Sequence, residues 1–108
     1  MNEELTPLER QVVVLTAREN WTNFRDDGLR VVKRENTGAG RFVYLEDKHR
    51  QILTDGLYSA QGRLIEMTGV QNGLGFVIAV SSSHIDYIEF FTYGNVGWDG
   101  VEREWRIV

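Results

Sequence analysis

Hydrophobic residues recur along this chain with two different periods. Leu8, Val12 and Leu15 are spaced by four and three, the stripe of an amphipathic helix, and Glu9, Arg10, Arg18 and Glu19 are placed to face water. Thr6-Pro7-Leu8-Glu9 predicts where that helix starts: Thr6 as N-cap, Pro7 at the first helical position, Glu9 closing a capping box, and Leu5 as a hydrophobic staple. Val12-Val13-Val14 is a β-branched run that weakens local helix propensity, so packing must hold the helix. Asn20 is read as the cap of a second short helical turn that sends Trp21 and Phe24 to the core.

From Gly28 the period is two. Leu29 to Glu35 and Arg41 to Glu46 flank the turn Asn36-Thr37-Gly38-Ala39-Gly40 and predict an antiparallel hairpin. Arg63 to Thr68 reads as a further strand, Asn72-Gly73 as a turn, and Asp47 to Tyr58 as polar and irregular. Phe76 to Val80 is apolar at every position, which requires cover on both faces. His84 to Tyr93 is two-faced, with Ile85, Tyr87, Glu89, Phe91 and Tyr93 on one side and Ile88 and Phe90 on the other. Val101 to Val108 alternates as a last strand. The order predicts one α+β domain, an N-terminal helix packed on a curved antiparallel sheet of five to six strands, with Phe76 to Val80 and His84 to Tyr93 adjacent at its centre.

Composition narrows the functions open to such a domain. At 108 residues the chain can bury roughly 65% of the surface its unfolded form exposes, enough for one core without covalent staples. The net charge of −4, with no cluster of Lys or Arg, argues against a nucleic-acid partner. The absence of cysteine excludes a disulfide framework, a thiolate metal site and a catalytic thiol. Acids near the N-terminus, where a secretory signal carries basic residues, and the lack of a long apolar run predict a cytoplasmic protein that does not span a membrane.

The chemistry worth weighing centres on Glu89, a carboxylate set among Tyr87, Phe91 and Tyr93 that needs a cation or hydrogen-bond donors. Arg34 is the expected partner, reaching across neighbouring strands, either as an ion pair that fixes register or as one side of a ligand pocket. His84 and Asp86 are spaced to share a strand face, but one further histidine, His49, leaves a metal site short of ligands. Ser81, Ser82 and Ser83 lie in a turn without a nucleophile elbow, and the glycines at 38, 40, 73 and 75 lead into strands rather than phosphate-binding helices. Trp98, in a glycine-rich segment, either folds back over the sheet or awaits a partner. No cofactor or metal is expected, and no catalytic residue is assigned.

Val31-Val32-Lys33-Arg34-Glu35-Asn36-Thr37-Gly38-Ala39-Gly40, Gly75-Phe76-Val77-Ile78, Ile85-Asp86-Tyr87-Ile88-Glu89 and Thr92-Tyr93-Gly94 resemble a family of small, uncharacterised bacterial proteins. In that family an Arg-Glu-x-Thr-Gly-x-Gly turn precedes a Gly-Phe strand and a Glu-x-Tyr/Phe-Thr-Tyr-Gly strand. The similarity runs from Val31 to Trp98, and departs from the pattern at Phe90, where a glycine is usual, and at Asp99, where a proline is. It implies a shared fold, a shared role for Arg34 and Glu89, and a bacterial accessory protein rather than a metabolic enzyme.

Two functions follow as expectations. One is a homodimeric binding module with a pocket formed by Arg34, Tyr44, Tyr87, Glu89, Tyr93 and Trp98, suited to a small cationic or aromatic ligand. The other is a protein-interaction module, a regulator or immunity-type partner, without catalysis. A concave cavity reaching Glu89 separates the first from the second, which calls for a flat or protruding aromatic patch.

Overall fold

In the computed structural model, which describes residues 4–108, helix α1 (Pro7–Asn20) packs on an open, curved antiparallel sheet of seven strands. The first three residues, on which the reading of the N-terminus partly rests, lie outside the described residues. The strands are β1 (Leu29–Asn36), β2 (Gly40–Asp47), β3 (Gly56–Ser59), β4 (Ile65–Met67), β5 (Val70–Ser81), β6 (His84–Thr92) and β7 (Trp105–Ile107). Their order is β1-β2-β6-β5-β4-β7, with β3 pairing β5 beyond the end of β4. Among the described residues, no helix is long and apolar enough to cross a membrane.

The helix starts where its sequence specifies. The Thr6 hydroxyl accepts from the Glu9 amide at 3.2 Å, and the Glu9 carboxylate accepts from the Thr6 amide at 2.9 Å, a complete capping box with Pro7 at the first turn. Asn20 ends the helix rather than starting another. Trp21 is its C-cap and packs against Phe24, ring centroids 5.0 Å apart.

β5 and β6 are central and antiparallel as their patterns require, flanked by β2 on one side and by β4 and β3 on the other. They join through Ser82 and Ser83, both at positive φ, the backbone of a tight hairpin turn. The turn expected at Asn72-Gly73 is instead inside β5, which runs unbroken from Val70, and β3 emerges from the segment read as irregular. The final strand is shorter than its alternation suggests: only Trp105–Ile107 pairs, against β4.

Two bulges set which side chains face the helix. In β1 the pairing passes from Val31↔Leu45 to Lys33↔Tyr44, so Val32 is the extra residue and every later side chain changes face. Leu29 and Val31 point to the core, and after the bulge so does Arg34, opposite Val43. In β6, Asp86 is extra between Ile85↔Val80 and Tyr87↔Ala79. Ile85 therefore joins Ile88 and Phe90 in the core, not Tyr87 and Glu89 as strict alternation predicts. At that bulge the Asp86 carboxylate accepts from the Ser81 hydroxyl.

Leu5, Leu8, Val12 and Val13 from the helix end meet Val31, Val43, Leu45, Leu74, Phe76, Ile78, Ile88 and Phe90 from the sheet in one core. Among the described residues, no helix or second sheet is layered on the opposite face.

Candidate functional site

The sequence places Arg34 and Glu89 together, and the fold separates them. Arg34 stands opposite Val43, and Val43 opposite Ile88, on the helix side; Glu89 stands opposite Phe42 and Val77 on the outer side. The bulge at Val32 is the cause, and no sequence pattern marks it.

Arg34 instead meets Glu9, the helix residue expected to face water. Glu9 is fully buried, and the Arg34 guanidinium grips its carboxylate with two bonds, Nε to Oε2 at 2.9 Å and Nη2 to Oε1 at 2.7 Å. Those bonds hold Arg34 above its ordinary pKa, against the opposing effect of burial. Arg41, only 4% exposed, brings Nη2 within 2.9 Å of Glu9 and 2.5 Å of Glu102, and its Nη1 donates to the Gly100 carbonyl at 3.1 Å. Glu102 also accepts from the Thr6 hydroxyl at 2.7 Å. Trp98 folds back over this cluster, 3% exposed, with its indole N–H on the Val101 carbonyl at 3.0 Å. The Arg41 guanidinium lies 5.0 Å from the Trp98 ring and 5.4 Å from that of Phe90. Two acids and two arginines answer one another behind aromatic walls, tying the helix start, β1, β2 and the C-terminal segment together. The cluster's chemistry is spent on the fold. One polar atom within it, Arg41 Nε, is buried without a hydrogen bond.

The outer face is different. Successive rows run Lys33–Tyr44–Tyr87–Ala79–Leu57 and Glu35–Phe42–Glu89–Val77–Ser59 across β1, β2, β6, β5 and β3. Phe42 stacks on Tyr44 at 6.1 Å with ring planes 17° apart, and both rings meet Tyr87, at 5.4 and 5.9 Å. One row further, Phe91 packs against Tyr93 at 5.5 Å. Gly75 makes room for this pair, since a Cβ there would come within 2.6 Å of the Phe91 ring and 2.5 Å of the Tyr93 hydroxyl. None of these rings belongs to the core or packs on it, and Leu57, 72% exposed, extends the apolar surface to β3.

Charges border the patch unevenly. Lys33 lies 5.2 Å over the Tyr44 ring and 3.9 Å from Glu35, and the Tyr44 hydroxyl donates to Glu35 at 3.3 Å. Loss of water around it, and then the Glu35 charge, push the Tyr44 phenol above its ordinary pKa. Glu89, half-buried between Phe42 and Val77, makes neither a hydrogen bond nor an ion pair with any described residue.

Of the six residues expected to converge, Tyr44, Tyr87 and Glu89 share the outer patch, Tyr93 sits at its far end, and Arg34 and Trp98 belong to the buried cluster on the other side. Of four cavities among the described residues, none is lined by Tyr44, Tyr87 or Glu89. The largest, about 850 Å³, is a polar groove between β4, β5 and β7 that includes Glu66, Glu104, Trp105 and Arg106. Tyr93 and Phe91 border one of about 350 Å³ beside the turn at Gln61-Gly62. No group of three or more His, Asp or Glu side chains that could hold a metal ion is present among the described residues.

The residues missed from sequence are Phe42, which alternation does place beside Tyr44 on β2, and Lys33, whose face depends on the bulge. Compared with known proteins, the chain matches no family, no curated protein and no solved structure.

Proposed function

We propose that this chain is a non-catalytic protein-interaction module whose contact surface is the outer face of the sheet around Phe42, Tyr44, Tyr87 and Glu89. One observation carries the reading: large rings are stacked on a face that no element covers and that adds nothing to the core. Aromatic side chains supply large contact area at low entropic cost and dominate the energetics of protein contacts. The patch is broad and open, the shape that suits a protein partner better than a small molecule. A regulator or immunity-type partner in the bacterial cytoplasm is the setting this reading fits.

The rival reading, a site for a small cationic ligand, draws on Glu89, an unanswered carboxylate beside aromatic rings. It lacks an enclosing cavity at that residue.

Chemical labelling of tyrosines tests the proposal. In cells that contain the protein, Tyr44 and Tyr87 should be shielded from nitration or iodination, relative to the dilute purified chain, and the shielded species should be larger than one chain. Equal reactivity in cells and in dilute solution would refute it, and shielding without a change in size would favour the small ligand.

A further inference from the structure

We propose that the partner of this face is a short extended protein segment that brings an arginine, whose guanidinium sits on Glu89 beside the Phe42 and Tyr87 rings. The inference rests on the interaction reading above and states the chemistry of the partner.

The charges of the face single out that position. Arg30 is held by Glu46, its neighbour on β2, and Lys33 lies 3.9 Å from Glu35. These cations each have a carboxylate of their own, and Glu89 is left over, with neither a hydrogen bond nor an ion pair from any described residue. It stands between Phe42 and Val77, and alternation along β6 sets Tyr87 and Phe91 on either side of it. A half-buried carboxylate among rings gives up part of its water and gains nothing from the chain in return. A cation placed on it gains both the charge and the ring faces.

The other side of the same sheet shows what such a seat holds. There the Glu9 carboxylate lies 2.9 Å from Arg41, whose guanidinium is 5.4 and 5.0 Å from the Phe90 and Trp98 ring centres. The outer face repeats those parts, a carboxylate beside aromatic rings, without the arginine. Arginine suits it better than lysine, because a planar, weakly hydrated guanidinium stacks on a ring while its fork takes both carboxylate oxygens. On the β5 side Glu89 is bordered by Val77 and by Ala79 beyond Tyr87, shorter than the rings on the β2 side, so an arriving side chain reaches it over β5. Five strands about 4.8 Å apart and about five residues long make a face on the order of 400 Å². That is about half of what a standard interface takes from each partner, so the face fits an extended segment of about six residues, about 20 Å long, rather than a globular surface. The residues flanking the arginine rest on Tyr44 and on exposed Leu57, contacts that a free small cation lacks.

Selection from a library of random heptapeptides tests this, with the wild type, Glu89→Gln and the Phe42→Thr/Tyr87→Thr double variant as baits, each verified as folded by thermal unfolding. Peptides selected by the wild type should carry arginine at one position well above its frequency in the library, and Glu89→Gln should lose that enrichment. A selected peptide should shift the backbone amide NMR signals of Phe42, Tyr87 and Glu89. Replacing its arginine by citrulline, which keeps the shape and removes the charge, should weaken binding by about tenfold or more, and replacing it by lysine by about threefold. The arginine peptide should bind Glu89→Gln about tenfold more weakly than the wild type. No selection above background, no arginine preference, equal binding to Glu89→Gln, or shifts confined to other parts of the chain each overturn the proposal. Shielding of Tyr44 and Tyr87 from nitration as the pure chain is concentrated would put a second copy on the face and overturn it as well. Where the proposal fails but the tyrosines are still shielded in cells, the interaction reading stands with a partner of other chemistry; where they are shielded nowhere, both fall.

Discussion

Glu9 and Glu89 occupy opposite sides of one sheet: Glu9 is closed off from solvent with two arginines on its carboxylate, and Glu89 sits among aromatic rings on the uncovered face with neither. The two carboxylates therefore divide between them the roles of holding the fold and of marking its surface. β2 carries both chemistries, with Arg41 turned to the first and Phe42 and Tyr44 to the second.

Substitutions to glutamine separate these roles, since they keep the shape and remove the charge. Glu9→Gln leaves Arg34 and Arg41 facing a neutral amide in a closed site, and should cost about 3–5 kcal/mol of stability. Glu89→Gln should change the stability of the dilute chain by no more than about 0.5 kcal/mol, as surface substitutions usually do. Urea unfolding of both variants at submicromolar concentration gives the comparison. A larger loss at Glu89 than at Glu9 would reverse the assignment.

Trp98 closes the cluster from the side of the C-terminal segment. Trp98→Ala should lower stability by about 3–5 kcal/mol, the usual cost of emptying a buried aromatic site, through loss of contact with Phe90 and Arg41 and entry of water beside the ion pairs. Trp98→Phe keeps the ring and should cost less. Calorimetric melting resolves the two, and equal, small effects would show that the indole is not a structural wall.

Much of the fold was legible because it rests on short-range patterns. Thr6-Pro7-Leu8-Glu9 names a helix start by its hydrogen-bonding groups alone, and the uniformly apolar Phe76 to Val80 has no stable place except mid-sheet. The candidate site was legible only in part. Tyr44, Tyr87 and Glu89 share a face because β2 and β6 pair in register across it, and alternation reports that much. Arg34 was assigned to the wrong carboxylate because one bulge residue, Val32, reverses every face after it, and nothing about valine announces a bulge. Glu9 looked like a solvated helix residue because its cations come from two strands distant in sequence. The strand β3 was missed because Gly56–Ser59 is four residues long and mostly exposed, held by its pairing to β5.

The segment that carries Trp98 has its own pH signature. Hydrogen bonds from Arg103, and then from the Val101 amide, lower the Asp99 carboxyl from 3.8 to about 2. A folded pKa below the unfolded one means that the stabilisation is fully present above about pH 4 and is lost as pH falls toward 2. Carboxyl-carbon NMR should therefore place the Asp99 midpoint near 2, with Asp27, whose carboxylate takes a hydrogen bond from Arg25, also below its ordinary value. Arg103→Met should return Asp99 toward 4. An Asp99 midpoint near 4 in the unaltered chain would show that this turn is not closed by the arginine.

The outer face should tolerate changes that a core cannot. Phe42 and Tyr87 contact each other and Tyr44 across neighbouring strands, and such cross-strand pairs contribute roughly 0.2–1 kcal/mol each rather than the several kcal/mol of a core ring. Phe42→Thr and Tyr87→Thr, singly or together, put a β-branched residue suited to the strand in place of each ring. The doubly substituted chain should fold, should lose no more than about 2 kcal/mol in urea unfolding at low concentration, and should not enter the larger species that the unaltered chain forms in cells. The control is Phe76→Thr on the helix side, where the ring is 2% exposed and its loss should cost about 3–5 kcal/mol. If the outer pair proves as costly as Phe76, those rings are part of the folding core, and the case for a contact surface there is lost.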